Sequence, residues 1–142
     1  MNKIYTKVTD QMNFWEDQDP VALAKKYGTP LYVTNERILR QRCRDLKNLV
    51  TYPKFVVDYS AKANCGLAFL QVIHSEGLEV DAMSPGEIYM EKKAGFTSDQ
   101  IFYICNNVSA EEMEYAVKEG VVISVDSLSQ LEQLGQIAPG HE

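Results

Sequence analysis

Lys62 is the residue in this chain whose type and position best suit covalent chemistry. It follows the apolar run at residues 55–59, which has the composition of a buried strand. In α/β proteins the loops after the carboxyl ends of parallel strands build binding and catalytic sites. An amine that is partly shielded from water there gives up its proton more readily and can attack a carbonyl carbon to form an imine. Lys62 is therefore a candidate Schiff-base lysine, and the alternative is a solvated lysine in a surface loop.

The thiols and imidazoles of the chain do not suggest a metal site. The cysteines are Cys43, Cys65 and Cys105, and the histidines are His74 and His141. They are widely spaced and include no CxxC pair, so a zinc site is disfavoured. Isolated cysteines of this kind usually serve as small, semi-apolar residues in proteins of a reducing compartment. Cys65 follows Lys62 by three positions, and a chemical role for it is the less favoured interpretation.

An alternation of strands and helices must position Lys62. We predict strands at residues 55–59, 78–83, 101–105 and 121–125, and helices at 67–76, 85–94, 110–119 and 128–138. Short strands joined by single helices form a parallel sheet through right-handed crossovers. Either a (β/α) barrel or an open doubly wound sheet fits this pattern. No GxGxxG or GxxxxGK[ST] motif follows a strand, which disfavours the nucleotide-binding version of the open sheet.

The helix boundaries have recognisable local signals. Gly77, Gly95 and Gly120 follow three of the predicted helices as stop signals. Two helices open with a capping box, in which a hydroxyl accepts from an orphan amide and an acid three residues later reaches back. The two pairs are Ser84 with Glu87 and Ser109 with Glu112. In the last predicted helix, Leu128, Leu131 and Leu134 recur on one side, which predicts its buried face.

The region before the alternation is predicted to contain two helices and a short extended piece. Asp19 and Pro20 begin a helix that stops at Gly28, residues 30–34 are extended, and Asn35 caps a helix to about residue 49. The apolar face predicted for the second helix consists of Leu39, Cys43, Leu46 and Val50.

The composition is that of an ordinary globular domain. The chain has 142 residues, of which 45% are hydrophobic and 24% charged, so disorder is not expected. A formal net charge of -6 without a basic stripe argues against a nucleic-acid surface. No apolar run is long enough for a membrane span, and no signal-type apolar core follows residues 1–7, so a cytoplasmic protein is predicted.

The number of strand and helix units limits the architecture. A complete (β/α)₈ barrel needs eight units and typically about 250 residues, whereas four units precede the end at residue 142. We therefore expect an α/β fold that is a partial barrel of about four units. Unpaired strand edges in such a piece favour self-association or a partner.

Four motifs that occur in order along the chain, the last made of two segments, resemble a known enzyme family. The segment YSAKAN at residues 59–64 resembles the lysine motif of the fold-type III pyridoxal-phosphate decarboxylases, whose barrels are of the alanine-racemase-like type. GTPLYV at 28–33 and EVDAMSPGEI at 79–88 are similar to two further motifs of that family. NNVS at 106–109 and VDS at 125–127 resemble the diaminopimelate decarboxylase branch. The resemblance covers about residues 20–138.

The resemblance implies a domain organisation. Residues 1–34 would be a leading segment with a short strand, and residues 35–142 the amino-terminal half of a barrel that binds pyridoxal 5'-phosphate. The carboxyl-terminal part of the barrel and a second β domain would be absent. The family's phosphate-binding glycine loop, ring-stacking histidine and acid for the ring nitrogen are expected beyond residue 142, and His141 is not taken as that histidine.

The resemblance also assigns roles to individual residues. Lys62 would hold pyridoxal 5'-phosphate covalently and exchange it for the substrate amine. Asp81 would lie beside the lysine and the cofactor, where its charge favours a protonated imine. Glu87 matches a family acid near the pocket, although the capping box explains it equally well. Asn64 is expected to shape the loop after the lysine.

The implied activity is decarboxylation of meso-2,6-diaminopimelate to L-lysine, in lysine biosynthesis, impaired in a chain of this length. The partners implied are an amino-acid substrate and, in the full-length enzyme, a second identical subunit. Cys105 stands where the branch commonly has glycine, and Val108 where it commonly has lysine. These departures keep open a pyridoxal-phosphate-dependent decarboxylase or racemase of another amino acid. A non-catalytic fragment or interaction module is the third alternative.

Overall fold

The computed structural model describes residues 11–140 and contains a four-stranded parallel sheet. The strands are β1 (Asp58–Ser60), β2 (Glu79–Ala82), β3 (Ile101–Cys105) and β4 (Val122–Val125), paired in the order β1-β2-β3-β4. All three pairings are parallel. The predicted alternation is therefore confirmed, and parallel strands that neighbour in chain order fit part of a (β/α) barrel. His141 and residues 1–10 of the predicted leading segment lie outside the described residues.

The chain divides into two compact units, one that ends at Arg42 and one that starts at Cys43. The first contains α1 (Pro20–Tyr27) and most of α2 (Glu36–Lys47). Both predicted amino-terminal caps are present: the Asp19 side chain accepts from Val21 N at 2.9 Å, and Asn35 Oδ1 accepts from Ile38 N at 3.0 Å. The extended piece predicted at residues 30–34 is not a strand, because no strand among residues 11–140 pairs with it.

The second unit contains the sheet and the helices that cover it. These are α3 (Leu67–Ser75), α4 (Pro85–Ala94), α5 (Ala110–Glu119) and α6 (Leu128–Ile137). Gly77, Gly95 and Gly120 adopt φ values of 72°, 113° and 69°, so each stop signal sits in the left-handed region that glycine tolerates best. Helices α4 and α5 have the predicted bounds, and α3 and α6 are each one residue shorter. Among residues 11–140, no helix is long and apolar enough to cross a membrane.

The core lies between the helices and one face of the sheet. Alternate strand residues are buried on this face: Val80, Ala82, Ile101, Tyr103 and Cys105. Helix residues buried against them include Leu70, Ile73, Ile88, Met113 and Ala116. Removing this apolar surface from water is the main force that holds the layers together. Residues of opposite parity on the strands, such as Asp81 and Phe102, are only half-buried.

The first predicted strand is wrong in extent and burial. Strand β1 covers only residues 58–60, because these are the residues in register with β2, although the Val57 carbonyl also accepts from Glu79 N at 3.0 Å. Phe55 and Val56 lie outside the strand, and Val56 is 52% exposed. The apolar run before Lys62 is therefore mostly an exposed approach to a short strand.

Two predicted apolar helix faces are also wrong in part. In α2 the buried residue is Cys43, while Leu46 is exposed, and Val50 lies beyond the end of the helix and is exposed too. In α6, Leu128 is 79% exposed and Leu131 is exposed too, whereas Gln130 is buried. The hydrogen bonds from Gln130 to the sheet set which face of α6 points inward. The leucine spacing did not predict this face.

Lysine side chains cap the carboxyl ends of two helices in the second unit. Lys92 Nζ donates to the Glu119 carbonyl at 2.9 Å and to Glu119 Oε2 at 2.6 Å. Lys47 Nζ donates to the Glu76 carbonyl at 2.8 Å, just after α3. A cation near the last carbonyls of a helix satisfies orphan acceptors and opposes the negative end of the helix dipole.

We expect Lys92→Met to lower the free energy of unfolding by about 1–2 kcal/mol, because a half-buried charged hydrogen bond and a helix cap are lost together. Urea unfolding at pH 7 measures the change. Lys118→Met, in the exposed last turn of α5, is the matched control and should change stability by less than about 0.5 kcal/mol. Equal effects of the two variants would contradict the assignment of Lys92 as a cap.

Candidate functional site

Lys62 lies in the 3₁₀ turn Ala61–Ala63, directly after β1. The preceding Ala61 is fully buried, so the backbone of the turn is anchored in the core while the Lys62 side chain is exposed. The residues described here do not give Lys62 the partial shielding that we expected, because the turn stands at the rim of the sheet. The amine is accessible to a ligand from solvent.

The loop after Lys62 is shaped by Asn64, as expected. Asn64 Oδ1 accepts from Gly66 N at 3.0 Å, and the Asn64 carbonyl accepts from the Tyr59 hydroxyl at 3.3 Å. Tyr59 also packs on Phe69 with ring centroids 5.5 Å apart. These contacts tie the loop to β1 on one side and to α3 on the other. The side-chain oxygen of Asn64 is therefore engaged within the loop.

Asp81 stands on β2, the strand next to the one that precedes Lys62. It is in register with Ser60, and the Ser60 hydroxyl donates to Asp81 Oδ1 at 2.9 Å. The turn Ala61–Ala63 contacts β2, so the lysine turn and the acid belong to neighbouring elements. The hydrogen bond from Ser60 fixes the position of the Asp81 carboxylate.

The amino ends of β1 and β2, two residues before Ser60 and Asp81, are acidic. Asp58 and Glu79 lie directly opposite each other. The pKa of Asp58 is raised by burial and by the charge of Asp81, and the pKa of Glu79 is raised by burial and by the charges of Asp58 and Asp99. Like charges opposite each other on neighbouring strands are unfavourable. This part of the sheet therefore favours a ligand that brings a positive charge.

Glu87 connects the carboxyl end of β2 to α4. Its Oε2 accepts from Met83 N at 2.6 Å, and Glu87 N donates to Ser84 Oγ at 3.2 Å. The predicted capping box is half right, because the carboxylate reaches the residue before Ser84 and not Ser84 itself. The box predicted for Ser109 and Glu112 is present in both directions.

Gln130 makes an equivalent connection two strands further on, which was not predicted from the sequence. Its Oε1 accepts from Asp126 N at 3.1 Å, and Gln130 N donates to Ser127 Oγ at 3.3 Å. Its Nε2 also donates to the carbonyl of Cys105 at the end of β3. One buried amide thus joins the ends of β3 and β4. The signal was available, because Ser127 and Gln130 repeat the spacing of Ser84 and Glu87.

A polar pocket of about 320 Å³ lies at the carboxyl ends of β3 and β4. It is lined by Asn107, Val108, Asp126, Ser127, Ser129, Gln130 and Gln133. Asn107 has a φ of 60°, which asparagine tolerates better than most residues. Because β3 and β4 lie two and three strand spacings from β1, this pocket is roughly 10–14 Å across the sheet from the strand before Lys62. The motif residues therefore share an edge of the sheet but form two separate groups.

The two departures from the family pattern have different surroundings. The Cys105 side chain is fully buried in the helix-covered core, and burial, followed by the charges of Asp126 and Glu112, raises its pKa to about 11. Its thiol stays protonated at neutral pH. Val108 is half-buried and lines the polar pocket. Within residues 11–140, no group of three or more His, Cys, Asp or Glu side chains could hold a metal ion.

Comparison with known protein families gives one extended match. The family described as pyridoxal-dependent decarboxylase, pyridoxal binding domain, matches residues 36–142. Among curated relatives, the diaminopimelate decarboxylase of Methanothermobacter thermautotrophicus is 47% identical over 123 residues, which are 85% of this chain and 29% of the relative. The diaminopimelate decarboxylase of Archaeoglobus fulgidus is 37% identical over 82% of this chain and 27% of its own length.

Solved structures give a consistent result. Diaminopimelate decarboxylase from Helicobacter pylori, in complex with L-lysine, superposes with a TM-score of 0.79 at 27% identity, covering 84% of this chain and 31% of that chain. The enzyme from M. jannaschii, also with L-lysine, gives a TM-score of 0.74 at 30% identity over 85% of this chain and 30% of that chain. This chain thus spans less than a third of the length of the proteins it resembles.

Proposed function

Because the chain belongs to the pyridoxal-dependent decarboxylases, we propose that it supplies the lysine-bearing part of the active site of a diaminopimelate decarboxylase. The reaction is removal of one carboxyl group from meso-2,6-diaminopimelate to give L-lysine. The named relatives support this substrate, and they are longer than the chain described here. The decarboxylation of meso-2,6-diaminopimelate is therefore part of what we propose.

One observation carries the proposal: an accessible lysine turn follows β1, and a fixed carboxylate lies on the neighbouring strand β2. The turn that holds Lys62 contacts β2, and Ser60 holds Asp81 by a hydrogen bond of 2.9 Å. A ligand aldehyde needs an exposed primary amine, and a positively charged adduct needs a nearby negative charge. The residues present therefore fit the carbonyl end of pyridoxal 5'-phosphate.

Each residue has a specific role in this proposal. Lys62 would hold pyridoxal 5'-phosphate covalently through Nζ, and Asp81 would keep a negative charge beside it. When bound, pyridoxal 5'-phosphate accepts the electron pair that departing carbon dioxide leaves behind. Asp58 and Glu79 add negative charge at the amino ends of β1 and β2, which contributes to a negative potential around these strands.

The proposal extends to the subunit arrangement and the compartment. We place the chain in a homodimeric enzyme and in the cytoplasm. Cys65 and Cys105 are free thiols, and free thiols are typical of a reducing compartment.

A chimera tests the function directly. This chain would replace the matched 123 residues of the Methanothermobacter thermautotrophicus enzyme, and carbon dioxide release would be measured with meso-diaminopimelate, ornithine, arginine and alanine. We expect release from meso-diaminopimelate and none when the chimera also carries Lys62→Ala. The unaltered relative is the positive control.

A chimera that folds and loads pyridoxal 5'-phosphate but prefers another amino acid would support the second interpretation, in which the substrate differs. A folded chimera that acts on none of the four would contradict the catalytic proposal.

A further inference from the structure

Glu91 is a carboxylic acid in the apolar layer between α4 and the sheet. Its exposed fraction is 0%, and it lies on the same buried face of α4 as Ile88 and Ala94. Within residues 11–140, neither of its carboxyl oxygens has a hydrogen-bond partner. A buried carboxylate without a partner is among the most costly groups a protein core can contain, and a protonated carboxyl is much less costly.

The groups around Glu91 make a negative charge there still less favourable. Its charged neighbours are Glu87, one turn away on α4, and Asp81 on β2, and both are acidic. The adjacent cation, Lys92, forms its ion pair with Glu119 at 2.6 Å. Burial first, and then the charges of Glu87 and Asp81, raise the pKa of Glu91 to about 8.

The other elements packed on α4 contribute no described countercharge. From β3, the Tyr103 hydroxyl is also buried and has no partner within residues 11–140, and burial raises its pKa to about 12. From α3, the His74 ring packs edge-on against Phe96, beyond the end of α4, with centroids 4.8 Å apart. From α5, Glu112 is engaged in its capping box with Ser109.

We propose that Glu91 is a proton switch: α4 packs on the sheet while the carboxyl holds its proton, and loss of that proton releases α4. The consequence reaches the candidate site through Glu87, which belongs to α4 and holds Met83 N at 2.6 Å. Met83 directly follows β2, the strand of Asp81. Release of α4 therefore loosens the end of the strand on which Asp81 stands.

The direction of the pH effect follows from proton binding. In the unfolded chain Glu91 loses its proton near the ordinary value of 4.5, whereas in the folded chain it keeps the proton to about pH 8. The folded state therefore binds more protons between these values, and the free energy of unfolding falls as the pH rises through that window. The contribution of Glu91 is fully present below about pH 4.5 and is lost above about pH 8.

The first test is the thermal unfolding midpoint of the 142-residue chain between pH 5 and pH 9. We expect ionisation of Glu91 to lower the midpoint of the unaltered chain by roughly 10 °C over this range. Glu91→Gln cannot ionise at this position, so this decrease in the midpoint should be missing from its pH curve. Glu114→Gln, an exposed acid on α5, is the matched control and should behave like the unaltered chain.

Asp58 and Glu79 also have raised pKa values, but they are present in every variant. The difference between the curves therefore isolates Glu91. If Glu91→Gln does not fold, Glu91→Met provides an apolar replacement of similar length. A folded variant whose midpoint falls with pH as steeply as that of the unaltered chain would overturn the proposal.

The second test rests on the proposed function and measures pyridoxal 5'-phosphate trapped on Lys62 by borohydride at each pH. Attachment to a lysine normally increases with pH, because more of the amine is unprotonated. We expect attachment to the unaltered chain to decline above about pH 8 while attachment to Glu91→Gln continues to rise. Parallel curves would contradict the link from α4 to the site. Absence of any adduct in both would refute the proposed function, and the unfolding midpoints would still decide on the switch.

Discussion

Lys62→Ala is expected to abolish specific covalent attachment of pyridoxal 5'-phosphate to this chain. The reason is chemical, since a stable adduct needs a primary amine, and geometric, since Lys62 is the amine that follows β1 beside the Ser60–Asp81 pair. The measurement is borohydride reduction followed by peptide mass analysis. Trapped cofactor in Lys62→Ala should fall to the level that surface lysines give at random.

Two control variants separate attachment chemistry from charge. Lys62→Arg keeps the positive charge, but its guanidinium stays protonated and cannot form the adduct, so it should fail like Lys62→Ala. Lys54→Ala removes another exposed lysine just before β1 and should attach cofactor at the unaltered level. If Lys54→Ala and Lys62→Ala trapped the same amount of cofactor, Lys62 would not be a preferred attachment site.

Gln130→Glu is expected to destabilise the fold by about 3–5 kcal/mol, because it places a buried negative charge where a donor is needed. The Gln130 amide accepts from Asp126 N and donates to the Cys105 carbonyl. A carboxylate can replace the acceptor but not the donor, and it would face the carbonyl oxygen of Cys105. Urea unfolding at pH 7 measures the loss.

Two comparisons make this expectation specific. Gln136→Glu adds the same charge to an exposed position of α6 and should change stability by less than about 0.5 kcal/mol. Glu87→Gln is the reverse exchange after β2, where the side chain only accepts, from Met83 N, and it should cost about 1 kcal/mol or less. A Gln130→Glu variant as stable as the Gln136→Glu variant would show that the bond to Cys105 contributes little.

The order of elements and their ends could be predicted because they depend on neighbouring residues. Helices α4 and α5 occur with the predicted bounds, since a serine cap at the start and a glycine with positive φ at the end act within one turn. The parallel pairing of the strands followed from their connection by single helices. These signals need no knowledge of what lies on the other side of the core.

The depth of each side chain could not be predicted in the same way. Spacing suggested that Leu128 and Leu131 face the core, yet both are exposed, and the buried residue of α6 is Gln130. Glu91 is polar by type and fully buried in the structure. Burial is set by the rotation of a helix on its sheet, which depends on contacts with residues distant in the chain.

The sequence by itself determined the alternating parallel architecture, the position of Lys62 after a strand and the motifs that resemble a pyridoxal-phosphate family. Those features reside in short segments, where backbone preference and residue type act locally. Only the tertiary structure decided which side chains meet. Sheet register joins Ser60 to Asp81, and helix packing buries Glu91 and places Gln130 between two strand ends. The physical reason is that hydrogen bonding and desolvation depend on distances in space, which sequence separation does not specify.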